Sequence, residues 1–224
     1  MPPELHILES PAAAVGALLA EQARAGGSIV LTGGSSPADA YREAARLEPD
    51  WSRVTLWWGD ERCVPPDDER SNYRLAKETL LDLLEEPPAA VHRIRGEAPP
   101  SEAAAELDRA LEGADLDFLL LGLGPDGHMA SLFPGSPQLA VTDRRATDGP
   151  AGLEPFVHRV TMTVPTIQAA KRVVFLVTGA AKADAVAGAF GGDITPDVPA
   201  SLSQLAPRLE VFLDSAAGDK LDTK

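Results

Sequence analysis

Along the chain, short apolar runs alternate with segments whose apolar residues recur at helical spacing. LHIL (5–8) precedes an alanine-rich helix over Pro11–Ala25, and SIVLTG (28–33) precedes a helix opening at Pro37. VTLWWGD (54–60) runs through a polar loop to a helix over NYRLAKETLLDLL (72–84). VHRIRG (91–96) is followed by the helix SEAAAELDRALE, and LDFLLLG (116–122) enters a glycine-rich loop. RVTMTV (159–164), KRVVFLVTG (171–179) with the helix AKADAVAGAF, and LEVFLD (209–214) complete the series. Several of these strands are apolar at every position rather than at alternate ones, which requires a sheet covered on both faces. The pattern predicts an α/β fold, a three-layer α/β/α sandwich around a mainly parallel, Rossmann-like sheet. In open sheets of this kind, ligands bind outside the carboxyl ends of the strands. The loops after Gly33, Gly59, Gly122 and Gly179 are therefore where chemistry is expected. The stretch Asp143 to Pro155, rich in Asp, Gly and Pro, reads as a surface excursion.

The length of 224 residues fits one core, so residues 1–224 are expected to form a single domain. With 44% hydrophobic and 24% charged residues, the composition is that of an ordinary globular protein. The N-terminal MPPELHILESP lacks the basic-then-apolar form of a secretory signal, and no apolar run approaches the roughly 20 residues that cross a bilayer. A soluble, cytoplasmic protein is expected. The lone Cys63, followed by Val64 and two prolines, reads as a bystander. A net charge of −14 argues against nucleic acid or an anionic membrane as partner. An anionic small molecule would need a local cluster of N–H groups and cations, which is feasible because charges are screened over about 8 Å.

Each of the four loops carries a candidate. In Thr32-Gly33-Gly34-Ser35-Ser36-Pro37, Ser36 is placed to cap a helix with Pro37 at its first position and Asp39 three residues after the cap. The glycine pair followed by two hydroxyls also suits an anion at the helix start, and a ligand-free tight turn accounts for it equally well. In Thr178-Gly179-Ala180-Ala181-Lys182, a lysine in the first turn has the wrong sign for the helix dipole unless an anion sits beside it. In Gly59-Asp60-Glu61-Arg62, an arginine between two carboxylates reads either as a solvated turn or as a fixed cation over a developing oxyanion. The loop Gly122-Leu123-Gly124-Pro125-Asp126-Gly127-His128 matches G-x-G-x-x-G, but Pro125, Pro134 and Pro137 leave no room for the helix that a dinucleotide site requires. What it offers is His128, two positions after Asp126, the one histidine in a setting suited to proton transfer. There is no nucleophile elbow, P-loop, H-E-x-x-H or paired C-x-x-C, and no closed set of metal ligands.

In order along the chain, LTGGSSP (31–37), WGDERCVP with SNYRLAKE (58–65 and 71–78), LLLGLGPDGHMASLFPGSP (119–137), RVTMTVPTI (159–167) and VFLVTGAAKADAV (174–186) resemble the 6-phosphogluconolactonase family. That family is related to the glucosamine-6-phosphate deaminases and isomerases. The resemblance implies conversion of 6-phospho-D-glucono-1,5-lactone and water into 6-phosphogluconate in the oxidative pentose phosphate pathway, with no obligatory cofactor. It implies His128 as general base, Arg62 at the lactone oxyanion, Asp126 orienting His128, and Asp60 helping to fix Arg62. Gly33, Gly34, Ser35, Ser36 and Lys182 would hold the 6-phosphate. A monomer or weak homodimer is expected. The chain departs from the family in carrying DGPAGLEPFVHRVT where a proline-rich segment is usual, and Arg159 is left with a structural role open. Two rivals are a glucosamine-6-phosphate deaminase and a non-catalytic sugar-phosphate sensor. The deaminases have an aromatic residue at the position of Arg62 and a carboxylate at that of Phe133; a sensor would not need Asp126, His128 and Arg62 together.

Overall fold

Sixteen regular elements follow one another in the computed structural model, which describes residues 2–221. They are β1 (Glu4–Ile7), α1 (Pro11–Ala25), β2 (Gly27–Leu31), α2 (Ser35–Leu47), β3 (Val54–Trp58), β4 (Asp60–Arg62), α3 (Asn72–Thr79) and β5 (Ala90–His92). There follow α4 (Pro100–Ala110), β6 (Phe118–Leu121), β7 (Ala146–Gly149), β8 (Arg159–Met162), α5 (Val164–Gln168), β9 (Val173–Val177), α6 (Ala183–Val186) and β10 (Leu209–Leu213).

Seven strands form one sheet in the order β1-β10-β9-β6-β2-β3-β5, and every pairing in it is parallel. The continuous apolar runs are buried as predicted: all residues of β6, β9 and β10 are buried, so helices and loops cover both faces. On one side α1 lies against α2, and Gly16 permits the approach, because a Cβ there would stand 2.8 Å from the carbonyl oxygen of Ala40. Burial of Ile29, Val30, Leu56, Trp58, Leu119, Leu120 and Phe175 forms the centre of the core. At about 25 cal/mol per Å² of apolar surface, such burial is the dominant favourable term in folding. Among the described residues no helix is long and apolar enough to cross a membrane.

The structure departs from the sequence expectation in the RVTMTV segment. That run does not join the parallel series; as β8 it is the middle strand of a separate antiparallel sheet, β4-β8-β7. The outer strands, DER and ATDG, are short and polar and so give no periodic signal. Within the supposed surface excursion, Ala146 and Gly149 of β7 are buried. This small sheet sits against the end of β3, where Met162 N–H donates to the carbonyl of Gly59 at 2.8 Å. The long helix expected over 72–84 stops after Thr79 and gives way to a 3₁₀ turn at Leu81–Leu83.

Candidate active site

Four adjacent strands of the sheet, β9, β6, β2 and β3, end at the same edge, and the loops that leave them enclose a cleft of about 470 Å³. Gly33, Gly34, Ser35, Ser36, Asp60, Arg62, His128 and Lys182 all line it, so the structure brings together residues 149 positions apart in sequence. Asp126 stands immediately behind His128.

The loop after β6 presents the imidazole. Asp126 Oδ1 lies 2.5 Å from His128 Nδ1 and also accepts from the backbone N–H of His128 at 3.2 Å. With Nδ1 engaged, Nε2 is the nitrogen left for the cleft. Burial raises the Asp126 carboxyl, but the hydrogen bond and charge of His128 outweigh it and hold the group below the usual range. On its other side the ring leans on Phe133, with centroids 4.5 Å apart. No helix follows this loop, in agreement with rejection of a dinucleotide site; the chain goes through turns to a 3₁₀ segment at Pro137–Ala140.

The loop after β3 is built differently from the expectation. Glu61 does not flank the Arg62 guanidinium. Its buried carboxylate instead accepts from the backbone N–H groups of Arg62 and Asn72, both at 2.7 Å, and Tyr73 at 2.8 Å, and from Ser71 Oγ at 3.0 Å. It thereby satisfies the open N–H groups at the start of α3. Burial pushes the Glu61 carboxyl up, and these backbone donors oppose the rise. Asp60 likewise makes no hydrogen bond to Arg62; its oxygens accept from Asn72 Nδ2 at 3.1 Å and Ser131 Oγ at 2.5 Å. Arg62 gives Nη1 to the carbonyl of Arg70 at 2.6 Å, and its Nε is buried without a partner. Beside it Arg159, 4% exposed, gives Nη2 to the carbonyl of Pro155 at 2.9 Å and also has an unpartnered Nε. Burial, then the charge of Arg62, lowers the Arg159 pKa.

At the far end of the cleft, α2 begins two residues earlier than predicted, with Gly34 rather than Ser36 in the cap position. Gly34 has φ +105°, a conformation that suits glycine. Ser36 is thus free of capping and its Oγ lies 2.7 Å from Thr178 Oγ1, joining the loops after β2 and β9. Tyr41, one and a half turns along α2, fixes the start of this loop by accepting from the N–H of Thr32 and donating to its carbonyl. The second helix start is not an open anion site: the N–H of Gly179 is taken by Asp214, at 2.9 Å from Oδ2. Lys182 itself remains in the cleft, half-buried, with its pKa lowered by burial against the opposing charge of Asp126.

The other histidines lie outside the cleft. His6 stacks on Phe212, His92 on Trp57, and His158 pairs with Asp148 at 2.8 Å. Burial, with Asp148 and Glu61 adding negative charge, pushes the Cys63 thiol up to about 11, which makes it a poor nucleophile at neutral pH. A group of metal-type side chains, Glu4, His6 and Glu210, stands at the sheet edge, where Glu210 is already bound by Arg172 and Arg208. The sequence reading missed Asn72 and Ser131 as cleft residues, because each sits in a segment whose partners are distant in sequence, and it left Arg159, which also lines the cleft, out of the catalytic set.

Arg62, Arg159 and Lys182 are in no ion pair among the described residues, although the chain carries net charge −14. Such a set, placed beside an oriented imidazole, suits an anionic substrate that undergoes proton transfer. The sequence profile of the glucosamine-6-phosphate isomerases/6-phosphogluconolactonase family matches residues 7–210. The chain belongs to this family. It is 38% identical over 209 residues to the 6-phosphogluconolactonase of Synechocystis sp., covering 88% of this chain and 86% of that relative. The solved structure of 6-phosphogluconolactonase from Trypanosoma brucei superposes with a TM-score of 0.83 over 98% of each chain at 27% identity. A monomeric glucosamine-6-phosphate deaminase superposes at 0.87, over 98% of this chain and 100% of that one, at 22% identity. Since the fold is common to both branches of the family, the site residues must separate them.

Proposed function

We propose that the chain hydrolyses 6-phospho-D-glucono-1,5-lactone to 6-phosphogluconate. The observation that carries this reading is the convergence of three cations, in no ion pair among the described residues, with one Asp-oriented imidazole in a single cleft. The relatives named 6-phosphogluconolactonase support it.

In this mechanism the α2 start and Lys182 hold the phosphate, which places the lactone carbonyl between His128 and Arg62. Nε2 of His128 takes a proton from water as its oxygen bonds to the carbonyl carbon. Asp126 favours the required tautomer and steadies the imidazolium. Arg62, whose Nε has no hydrogen-bond partner among the described residues, stabilises the oxyanion. Collapse of the tetrahedral species breaks the ring C–O bond, and the proton held by His128 passes to the leaving oxygen. A lactone is an activated ester, so no covalent nucleophile is needed. Phe133 weighs against a deaminase: it puts an aromatic ring on His128 where that chemistry uses a second carboxylate.

The test is acid release from freshly made 6-phosphogluconolactone by the purified protein, with glucosamine 6-phosphate as the comparison substrate. Lactone turnover that is lost in His128→Ala supports the reading, whereas ammonia release from glucosamine 6-phosphate, or an unchanged lactone rate in His128→Ala, contradicts it.

A further inference from the structure

A buried run of side-chain hydrogen bonds ties together the segments that carry the proposed chemistry. Asn72, 2% exposed at the start of α3, donates from Nδ2 to the carbonyl oxygen of Asp60 at 2.9 Å and to its Oδ1 at 3.1 Å. Ser131, 1% exposed, donates from Oγ to Asp60 Oδ2 at 2.5 Å. Both oxygens of a carboxylate that is only 6% exposed are thus held by neutral donors.

Each end of this run reaches a different functional segment. The amide of Asn72 occupies the space where a side chain on Gly33 would stand, so it abuts the loop that leads into α2. Ser131 lies three residues after His128 in the same loop, and its backbone N–H also donates to Thr161 Oγ1 of β8 at 3.3 Å. Asp60, in the middle, is two residues from Arg62 on β4. Phosphate loop, guanidinium strand and imidazole loop are therefore linked through one carboxylate.

We infer that Asn72 and Ser131 are positioning residues that act through Asp60 as a spacer, setting the distance from the phosphate-holding loop to His128 and Arg62. The inference rests on the proposed hydrolase reading and deepens it. A substrate anchored at one end and attacked at the other is sensitive to this length, since a misplacement of about 1 Å can cost on the order of 10²-fold in rate. Neutral donors suit the task, because they hold the carboxylate without placing another cation in the path of the phosphate.

The experiment compares steady-state hydrolysis of 6-phosphogluconolactone by wild type, Ser131→Ala, Asn72→Ala and the double variant. Each single change is expected to lower kcat by about 10-fold or more with KM within about 2-fold, the signature of lost alignment rather than lost binding. Because the two residues act through one carboxylate, the double variant is expected to lose little beyond the worse single. A KM increase at constant kcat, or effects that multiply in the double variant, overturns the spacer. Asp60→Asn guards against simple misfolding: its amide still accepts from Asn72 and bonds to Ser131, so it is expected to retain at least about 10-fold more kcat than Asp60→Ala. Equal loss in both overturns the spacer, since charge rather than spacing would then be what Asp60 supplies. An inactive wild type overturns the hydrolase reading and the spacer with it. An active wild type beside unimpaired variants overturns the spacer alone.

Discussion

Asp126 Oδ1 and His128 Nδ1 stand 2.5 Å apart across a two-residue step, and this pair decides which face of the imidazole is open to the cleft. Asp126→Asn preserves the shape but offers an amide that favours the wrong tautomer, so kcat is expected to fall on the order of 10²-fold or more. Because the folded-state value of Asp126 lies below its ordinary range, its contribution to stability is complete above about pH 4 and lost as the pH falls through the depressed value. Urea unfolding of wild type and Asp126→Asn should accordingly differ at pH 5 and converge in more acidic buffer.

Gly124 gives the His128 ring its place. A Cβ at that position would overlap the imidazole and stand 2.6 Å from Asp126 Oδ1. Gly124→Ala is expected to leave the far-ultraviolet circular dichroism of a folded α/β protein while removing most of the turnover. Wild-type kcat in that variant would show that the ring need not stay where it is.

Lys182 is assigned to the phosphate, a group present in both the ground and transition states. Lys182→Ala should therefore raise KM while leaving kcat nearly unchanged. Since burial lowers its pKa, affinity for the stable product 6-phosphogluconate should weaken at a pH below the ordinary lysine range, as the cation is lost. Calorimetric titration across alkaline pH reads this directly; affinity that stays flat up to pH 10.5 would contradict it.

Glu61 has a structural task that its neighbours depend on. Glu61→Gln replaces one acceptor oxygen by a donor facing N–H and O–H groups at the start of α3, at about 1–3 kcal/mol for each buried donor left unpaired. Chemical denaturation should show a lowered midpoint, with kcat falling as well because the Arg62 backbone loses its anchor. A midpoint equal to wild type would sink this account of the loop.

The apolar runs made the parallel sheet legible, because a strand buried on both faces needs no alternation to be recognised. The same reasoning failed for β4 and β7, whose polar residues are held by pairing with β8 rather than by burying an apolar face. Asp126, His128 and Lys182 stood out in the sequence because they lie in loops that leave the carboxyl ends of apolar strands, and the structure puts His128 and Lys182 on the cleft wall. Glu61 was misread because a charged triplet in sequence does not reveal that one carboxylate turns inward to cap a helix ten residues later. The cap of α2 was misplaced by two residues for a related reason: the Ser36 hydroxyl has a better partner in Thr178, from the opposite half of the chain.

The arrangement within the cleft is tested most directly by a crystal structure with 6-phosphogluconate bound. The phosphate is expected within hydrogen-bonding reach of Lys182 Nζ and the Gly34–Ser36 turn, with the carboxylate carbon between His128 Nε2 and the Arg62 guanidinium. A product bound in the reverse sense, its phosphate on Arg62 and Arg159 and its carboxylate toward Lys182, would contradict the assignment of every charged group in the site.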